Sequence, residues 1–267
     1  MVIPKKIHWC WLSGDPLPKK LQNCVDSWYK HMPDYEIILW DMERIQVLLD
    51  TVPFVQQAVE TKNWAFASDY IRWYALYTEG GIYLDSDVIV KKRFDTFLKH
   101  RAFTAEFFNK IFNVPNRPSV DYVVEAEMIG AEKGHPLMKK CLDFYKNQNF
   151  SKSDGKHVDV GIAPVVLTKA IMAFGYTGKH MPKGFKLLDE GIAVYSEPYL
   201  TWTGGKRSFR HTHAIHFSNG SWGGKFVSKK NILFPLRKLH RYLTTHYWLF
   251  ARLSYLRKSK LNRQNRL

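Results

Sequence analysis

Cysteine is scarce in this chain of 267 residues. Cys10, Cys24 and Cys141 are an odd number with no metal-site spacing, which excludes a disulfide framework and a thiolate metal cluster and leads us to expect a reducing compartment. No run of about 18 apolar residues occurs, so no membrane-spanning helix is expected. Lys5 and Lys6 are not followed by the apolar stretch of a secretory signal, so a cytoplasmic setting is expected. Internal repeats and low-complexity segments are also missing, which excludes a solenoid. The last absence is lopsided: no Asp or Glu follows Glu197. Residues 198–267 hold 15 Lys or Arg, whereas the residues before them hold 25 basic and 24 acidic side chains. Nearly all of the net +16 therefore sits in the final quarter. Such asymmetry suggests an acidic partner.

That final quarter is also rich in large apolar residues. Leu233, Phe234, Leu236, Leu239, Tyr242, Tyr247, Trp248, Phe250 and Leu253 alternate with Arg237, Lys238, Arg241, Arg252, Arg257 and Lys258. A basic, aromatic, amphipathic stretch has the composition of an interfacial membrane helix. Each Lys or Arg near an anionic bilayer contributes about 1 kcal/mol. We therefore expect residues 229–267 to form a basic C-terminal helical extension that contacts an anionic membrane surface. Helices packed on the domain are the plainer alternative, and nucleic acid is the partner least favoured.

The earlier residues read as alternating strands and helices. Strands are expected at 3–12 and 35–40, and helices at 18–31, 43–62 (broken at Pro53) and 64–77. This βαβα order predicts an α/β domain over residues 1–228. Its mostly parallel, Rossmann-like sheet would carry a ligand at the carboxyl ends of the strands.

The chemistry concentrates after the last of these helices. Gly80-Gly81 ends the helix and the apolar Ile82-Tyr83-Leu84 leads into Asp85-Ser86-Asp87, followed by Val88-Ile89-Val90. A buried strand thus delivers two carboxylates to its exit, and oxygen ligands of this kind suit Mn²⁺ or Mg²⁺. Asp69 and Arg72 stand three residues apart on one helix face, where an ordinary intrahelical ion pair explains them taken alone. His216, in the apolar stretch Ala214 to Phe217, is the candidate third metal ligand, and His211 and His213 nearby share its chemistry. Glu125 and Glu127 are spaced like a second acidic pair and read as a solvated edge.

Taken together, Ala65, Ser68-Asp69, Arg72, Leu76, Gly80-Gly81-Ile82-Tyr83, Asp85 and Asp87 resemble the sugar-binding region of DXD glycosyltransferases of family 32. Two flanking blocks are similar to that family's opening strand and late loop: Ile3-Pro4-Lys5-Lys6-Ile7-His8-Trp9-Cys10-Trp11 and His216-Phe217-Ser218-Asn219-Gly220-Ser221-Trp222. The resemblance implies a GT-A fold with a nucleotide-sugar donor, most often a UDP-sugar. It implies retention of anomeric configuration and an oligosaccharide or lipid-linked acceptor in bacterial surface polysaccharide synthesis at the inner membrane face. Asp87 would then bind the metal directly and Asp85 the ribose or the metal's water shell, Arg72 would face the donor phosphates or sugar, and Asp69 would hold sugar hydroxyls. Trp11 would stack on the base, and His8 and Trp9, which alternate with it, would serve strand packing and rim hydrogen bonds. Ser221 and Trp222 would close over the donor. Asp159, Gly161 and Pro164 resemble a block lining the sugar pocket.

Two rivals use parts of the same pattern. A haloacid-dehalogenase-type phosphatase also places Asp-x-Asp after an apolar strand, but it needs a downstream Asp-Asp or Gly-Asp-x-x-x-Asp, and neither follows. A non-catalytic basic module for membrane or nucleic acid would explain the tail and leave the acidic strand end without a purpose.

Overall fold

The computed structural model describes residues 2–108, 118–146, 148, 150, 161–180, 184–196 and 212–217. The chain divides into a unit of Met1–Asn219 and one of Gly220–Leu267, and every described residue belongs to the first. In chain order the elements are β1 (Lys6–Cys10), α1 (Lys19–His31), β2 (Glu36–Trp40), α2 (Gln46–Thr51), α3 (Pro53–Glu60), α4 (Trp64–Glu79), β3 (Gly81–Leu84) and β4 (Val88–Val90). There follow β5 (Ala102–Phe108), β6 (Tyr122–Val124), β7 (Met128–Ala131), α5 (Pro136–Tyr145), α6 (Ala163–Met172), β8 (Phe185–Leu187), β9 (Ile192–Tyr195) and β10 (Ala214–His216).

The main sheet runs β2-β1-β3-β7-β5-β9-β8, with β6 added to β5. Its first three strands are parallel, as the βαβα reading expects, and β5 and β9 form a second parallel pair. Between them β7 enters antiparallel to both β3 and β5. That antiparallel entry has a consequence for the site, because it returns the chain to the carboxyl end of β3. A separate two-stranded ladder pairs β10 with β4.

Apolar spacing explains the layers. On α1, Cys24, Val25 and Trp28 recur at i, i+1 and i+4 and are buried. The Trp28 indole N–H donates to the Val88 carbonyl at 2.8 Å and the Ser27 hydroxyl accepts from Val90 N–H at 2.9 Å, which ties β4 to this face. On the other face Ile71, Trp73, Ala75 and Leu76 of α4 join Phe54 and Val55 of α3, Leu137 and Met138 of α5 and Leu167 and Ile171 of α6 in one core. Helix α4 is buried on nearly every side, so the charged pair it carries is an informative exception.

The turn from α4 into β3 needs glycine. Gly80 has φ 69°, and its N–H donates to the Leu76 carbonyl as the helix ends. A Cβ there would sit 2.7 Å from the Lys133 backbone nitrogen. Gly80→Ala is expected to cost about 1–3 kcal/mol through backbone strain and overpacking, read as a lower urea midpoint with an unchanged slope. An unmoved midpoint would show that this crossing is looser than its geometry.

Candidate active site

The acidic motif is fixed by strand register. Leu84 pairs with Met128, and the ladder continues one step as Asp85 N–H donates to the Glu127 carbonyl at 2.9 Å. Val88 N–H then donates to the Asp85 carbonyl, which closes the turn through Ser86 and Asp87. His216 pairs with Val88 across the β10–β4 ladder, and Phe217 N–H donates to the Asp87 carbonyl. Three parts of the chain distant in sequence are thereby set side by side: Asp85 and Asp87, Glu127, and His216.

The side chains meet as the backbone demands. His216 Nε2 lies 3.0 Å from Asp87 Oδ1, and His216 Nδ1 lies 3.2 Å from Glu127 Oε1. Donor atoms of Asp85, Asp87 and His216 all fall within 4.8 Å of one another. Two carboxylates and an imidazole converging at that spacing fit a hard or borderline divalent cation such as Mn²⁺ or Mg²⁺. Burial opposes charge on His216, but the Glu127 and Asp87 carboxylates outweigh it and hold the imidazole's pKa well above its usual value. Burial would likewise raise Glu127, and His216 reverses that shift. Asp85 is raised by desolvation, against the opposing pull of Arg72 and His216.

A second layer lies behind the acids. Arg72 is almost fully buried and projects from α4. Its guanidinium donates to the Ala126 carbonyl at 2.7 Å, to Asp69 Oδ1 at 2.9 Å and to Asp85 Oδ1 at 3.2 Å, and it lies over the Tyr83 ring. The other Asp69 oxygen accepts from the Ala163 N–H at 2.9 Å, at the first residue of α6, where an unpaired helix N–H favours an anion. Burial pushes the Asp69 carboxyl up to about 8, and Arg72 offsets only part of that shift. The resemblance expects Asp69 at sugar hydroxyls and Arg72 at the donor phosphates or sugar; the structure instead makes the pair a buried brace. Asp69 has no exposed surface, both its oxygens are engaged inside the protein, and Arg72 meets the acidic motif through Asp85.

Other candidates fall variously. His8 is fully buried in strand packing, as one half of its expected role had it, and its expected place on the rim is corrected. Its Nδ1 accepts from the Trp40 indole N–H at 3.1 Å, which leaves Nε2–H to donate to the Gly80 carbonyl at 2.8 Å, at the opposite end of β3 from the acids. Glu125 and Glu127 are also corrected. Both are buried, where a solvated edge was expected. The missed signal is their flanks: Val123-Val124 and Met128-Ile129 enclose them in apolar strand on both sides. Trp11 follows β1, is partly exposed, and donates its indole N–H to the Asp15 carbonyl. His213 binds the Arg93 carbonyl through Nδ1. Gly161 precedes α6 and Pro164 lies in its first turn, at the end that receives Asp69. Asp159, His211, Ser221 and Trp222 lie outside the described residues.

Comparison with known proteins gives this geometry a context. Residues 18–104, which hold α1 through β4 and both acids, match the family model described as a glycosyltransferase sugar-binding region containing a DXD motif. Inositol phosphoceramide mannosyltransferase 3 of Schizosaccharomyces pombe is 28% identical over 142 residues, which cover 52% of this chain and 36% of that protein. Inositol phosphoceramide mannosyltransferase 1 of the same yeast is 30% identical over 239 residues, 83% of this chain and 63% of the relative. The chain thus spans less than two thirds of the length of either. Among solved structures, one described as PaToxG glycosyltransferase is 23% identical, with a TM-score of 0.45 over 64% of this chain and 69% of its own.

Proposed function

We propose that this chain, which belongs to the glycosyltransferases whose sugar-binding region contains a DXD motif, is a metal-dependent, retaining transferase of the GT-A type. It would move a hexose, or an N-acetylhexosamine, from a nucleotide-diphosphate sugar to a glycan or lipid-linked acceptor. The observation that carries this reading is the convergence of Asp85, Asp87 and His216 at the carboxyl end of a parallel strand.

The donor set would hold Mn²⁺ or Mg²⁺, which when bound supplies positive charge to a departing diphosphate. The protein's own contribution is placement. Arg72 fixes the Asp85 carboxylate from behind, and Asp69 anchors Arg72 to α6, so the acidic turn is set before any ligand arrives. Retention is supported by the family resemblance through attack on the same face as the leaving group. The acceptor hydroxyl would give its proton to the departing phosphate oxygen as the new glycosidic bond forms, without a dedicated base.

A UDP-sugar is the donor we favour from the resemblance, and the mannosyltransferase relatives make a guanosine diphosphate sugar the second arm of the test. The catalytic domain would occupy residues 1–228. The basic residues 229–267 suit an anionic membrane surface, with a role in surface polysaccharide synthesis at the inner face of a bacterial membrane. No helix among the described residues is long and apolar enough to cross a membrane.

Thermal unfolding with UDP, GDP and their sugars, with and without Mn²⁺, tests the proposal. At ligand 100 times its dissociation constant the native state gains about 2.7 kcal/mol, so one nucleotide is expected to raise the midpoint only when Mn²⁺ is present. Equal shifts without metal, or none with any nucleotide, would remove it.

A further inference from the structure

We infer that Glu127 is a positioning residue of the cation site: its carboxylate holds the Nδ1 side of His216, so that Nε2 is the nitrogen turned towards Asp87 and Asp85. The inference rests on the reading of Asp85, Asp87 and His216 as cation donors.

An imidazole presents two chemically distinct nitrogens, and a ring flip or a change of tautomer exchanges which of them faces a ligand. A partner that accepts a hydrogen bond from Nδ1 removes that freedom, because a cation then takes the place of the proton on Nε2 while Nδ1 keeps its own. Glu127 meets the requirements. Its Oε1 lies 3.2 Å from His216 Nδ1, whereas His216 Nε2 lies 3.0 Å from Asp87 on the opposite side of the ring. The carboxylate cannot follow a wandering ring, since its Oε2 accepts from the Ala126 N–H at 3.1 Å. The Glu127 backbone is pinned as well, because its carbonyl receives the Asp85 N–H directly after the Leu84–Met128 pair. The preceding carbonyl, that of Ala126, takes the Arg72 guanidinium. One short segment, Ala126-Glu127, therefore orients both the arginine behind the acids and the histidine beside them. Glu127 lies outside the group of residues whose donor atoms converge, which assigns it to the support of the site.

Mn²⁺ dissociation constants measured on the full chain from the electron paramagnetic resonance signal of free Mn²⁺ test this without any turnover. Glu127→Ala is expected to weaken Mn²⁺ binding towards the hundredfold end, and Glu127→Gln, whose amide oxygen still accepts from Nδ1, by about tenfold, the range seen for groups that orient a metal ligand. In a His216→Ala background neither change is expected to alter the constant further, because the group being positioned is gone. Should Glu127→Ala fail to fold, Glu127→Gln carries the same comparison. Wild-type affinity in both variants would overturn the role, and so would a loss that persists without His216. If the unaltered protein binds Mn²⁺ no better than its Asp87→Asn variant, the cation reading itself falls and the positioning role falls with it.

Discussion

Asp87→Asn is expected to reduce sugar transfer by about a thousandfold, roughly 4 kcal/mol of transition-state stabilisation, while the fold survives. The substitution is close to isosteric. The Asp87 backbone carbonyl keeps its bond from the Phe217 N–H, and the β4–β10 ladder that seats His216 depends on main-chain pairing. What disappears is one of two converging anionic donors, in a group where each supplies a single ligand atom. A cation held by Asp85 and His216 alone would be bound weakly and would neutralise a leaving diphosphate poorly. The measurement is turnover of the donor identified by thermal shift, titrated with Mn²⁺, beside far-ultraviolet circular dichroism. Near-normal turnover at saturating metal would sink the assignment. Asp85→Asn supplies the contrast. Asp85 also receives the Arg72 guanidinium, which ties it to the buried Asp69 behind it. Its loss is expected to lower stability as well as activity, so the two acids of one motif should separate in a stability assay.

Much of this arrangement was legible in the amino-acid pattern because it is local. The apolar run 82–84 ending in two acids, the glycine pair before it and the three-residue spacing of Asp69 and Arg72 lie within one helix–turn–strand unit, where period and turn chemistry speak directly. His216 was legible through a late apolar stretch. Its role as a neighbour of Asp87 depends on the β10–β4 register, which spans well over a hundred residues and leaves no local trace. The two misreadings share one cause. His8 alternates with Trp9 on β1, just ahead of Trp11, and looks like a rim residue. Whether a strand residue faces core or ligand depends on what packs against it, and here Trp40 and Gly80 take both ring nitrogens. Glu127 looked solvated because a carboxylate is seldom buried. The antiparallel return of β7 carries it to the end of β3, where His216 supplies the partner that makes burial tolerable. In both cases the deciding contact comes from an element far along the chain.

Arg72→Met is expected to be the most destabilising single change at the site, at about 3–5 kcal/mol, because it removes one partner from a buried ionic cluster. The guanidinium serves three acceptors from three parts of the chain: Asp69 on its own helix, Asp85 at the end of β3 and the Ala126 carbonyl before β7. Methionine fills much of the same volume, so the loss is electrostatic more than a cavity effect. Of the acceptors left behind, Asp69 and the Ala126 carbonyl are buried, and the other Asp69 oxygen is already committed to the Ala163 N–H. Arg72→Lys should recover only part of the loss, since a single ammonium cannot reach three acceptors that a planar fork spans. The decisive comparison is a double-mutant cycle. Asp69→Asn combined with Arg72→Met removes the stranded charge together with its partner, and the pair is expected to show a coupling of about 1–3 kcal/mol relative to the sum of the single changes. The midpoints come from urea unfolding monitored by tryptophan fluorescence, with Trp73 of α4 beside the cluster as a reporter. If the two changes simply add, Arg72 and Asp69 are independent buried groups. The view of the acidic turn as braced through Arg72 to the start of α6 would then have to be given up, whatever the fate of the cation site.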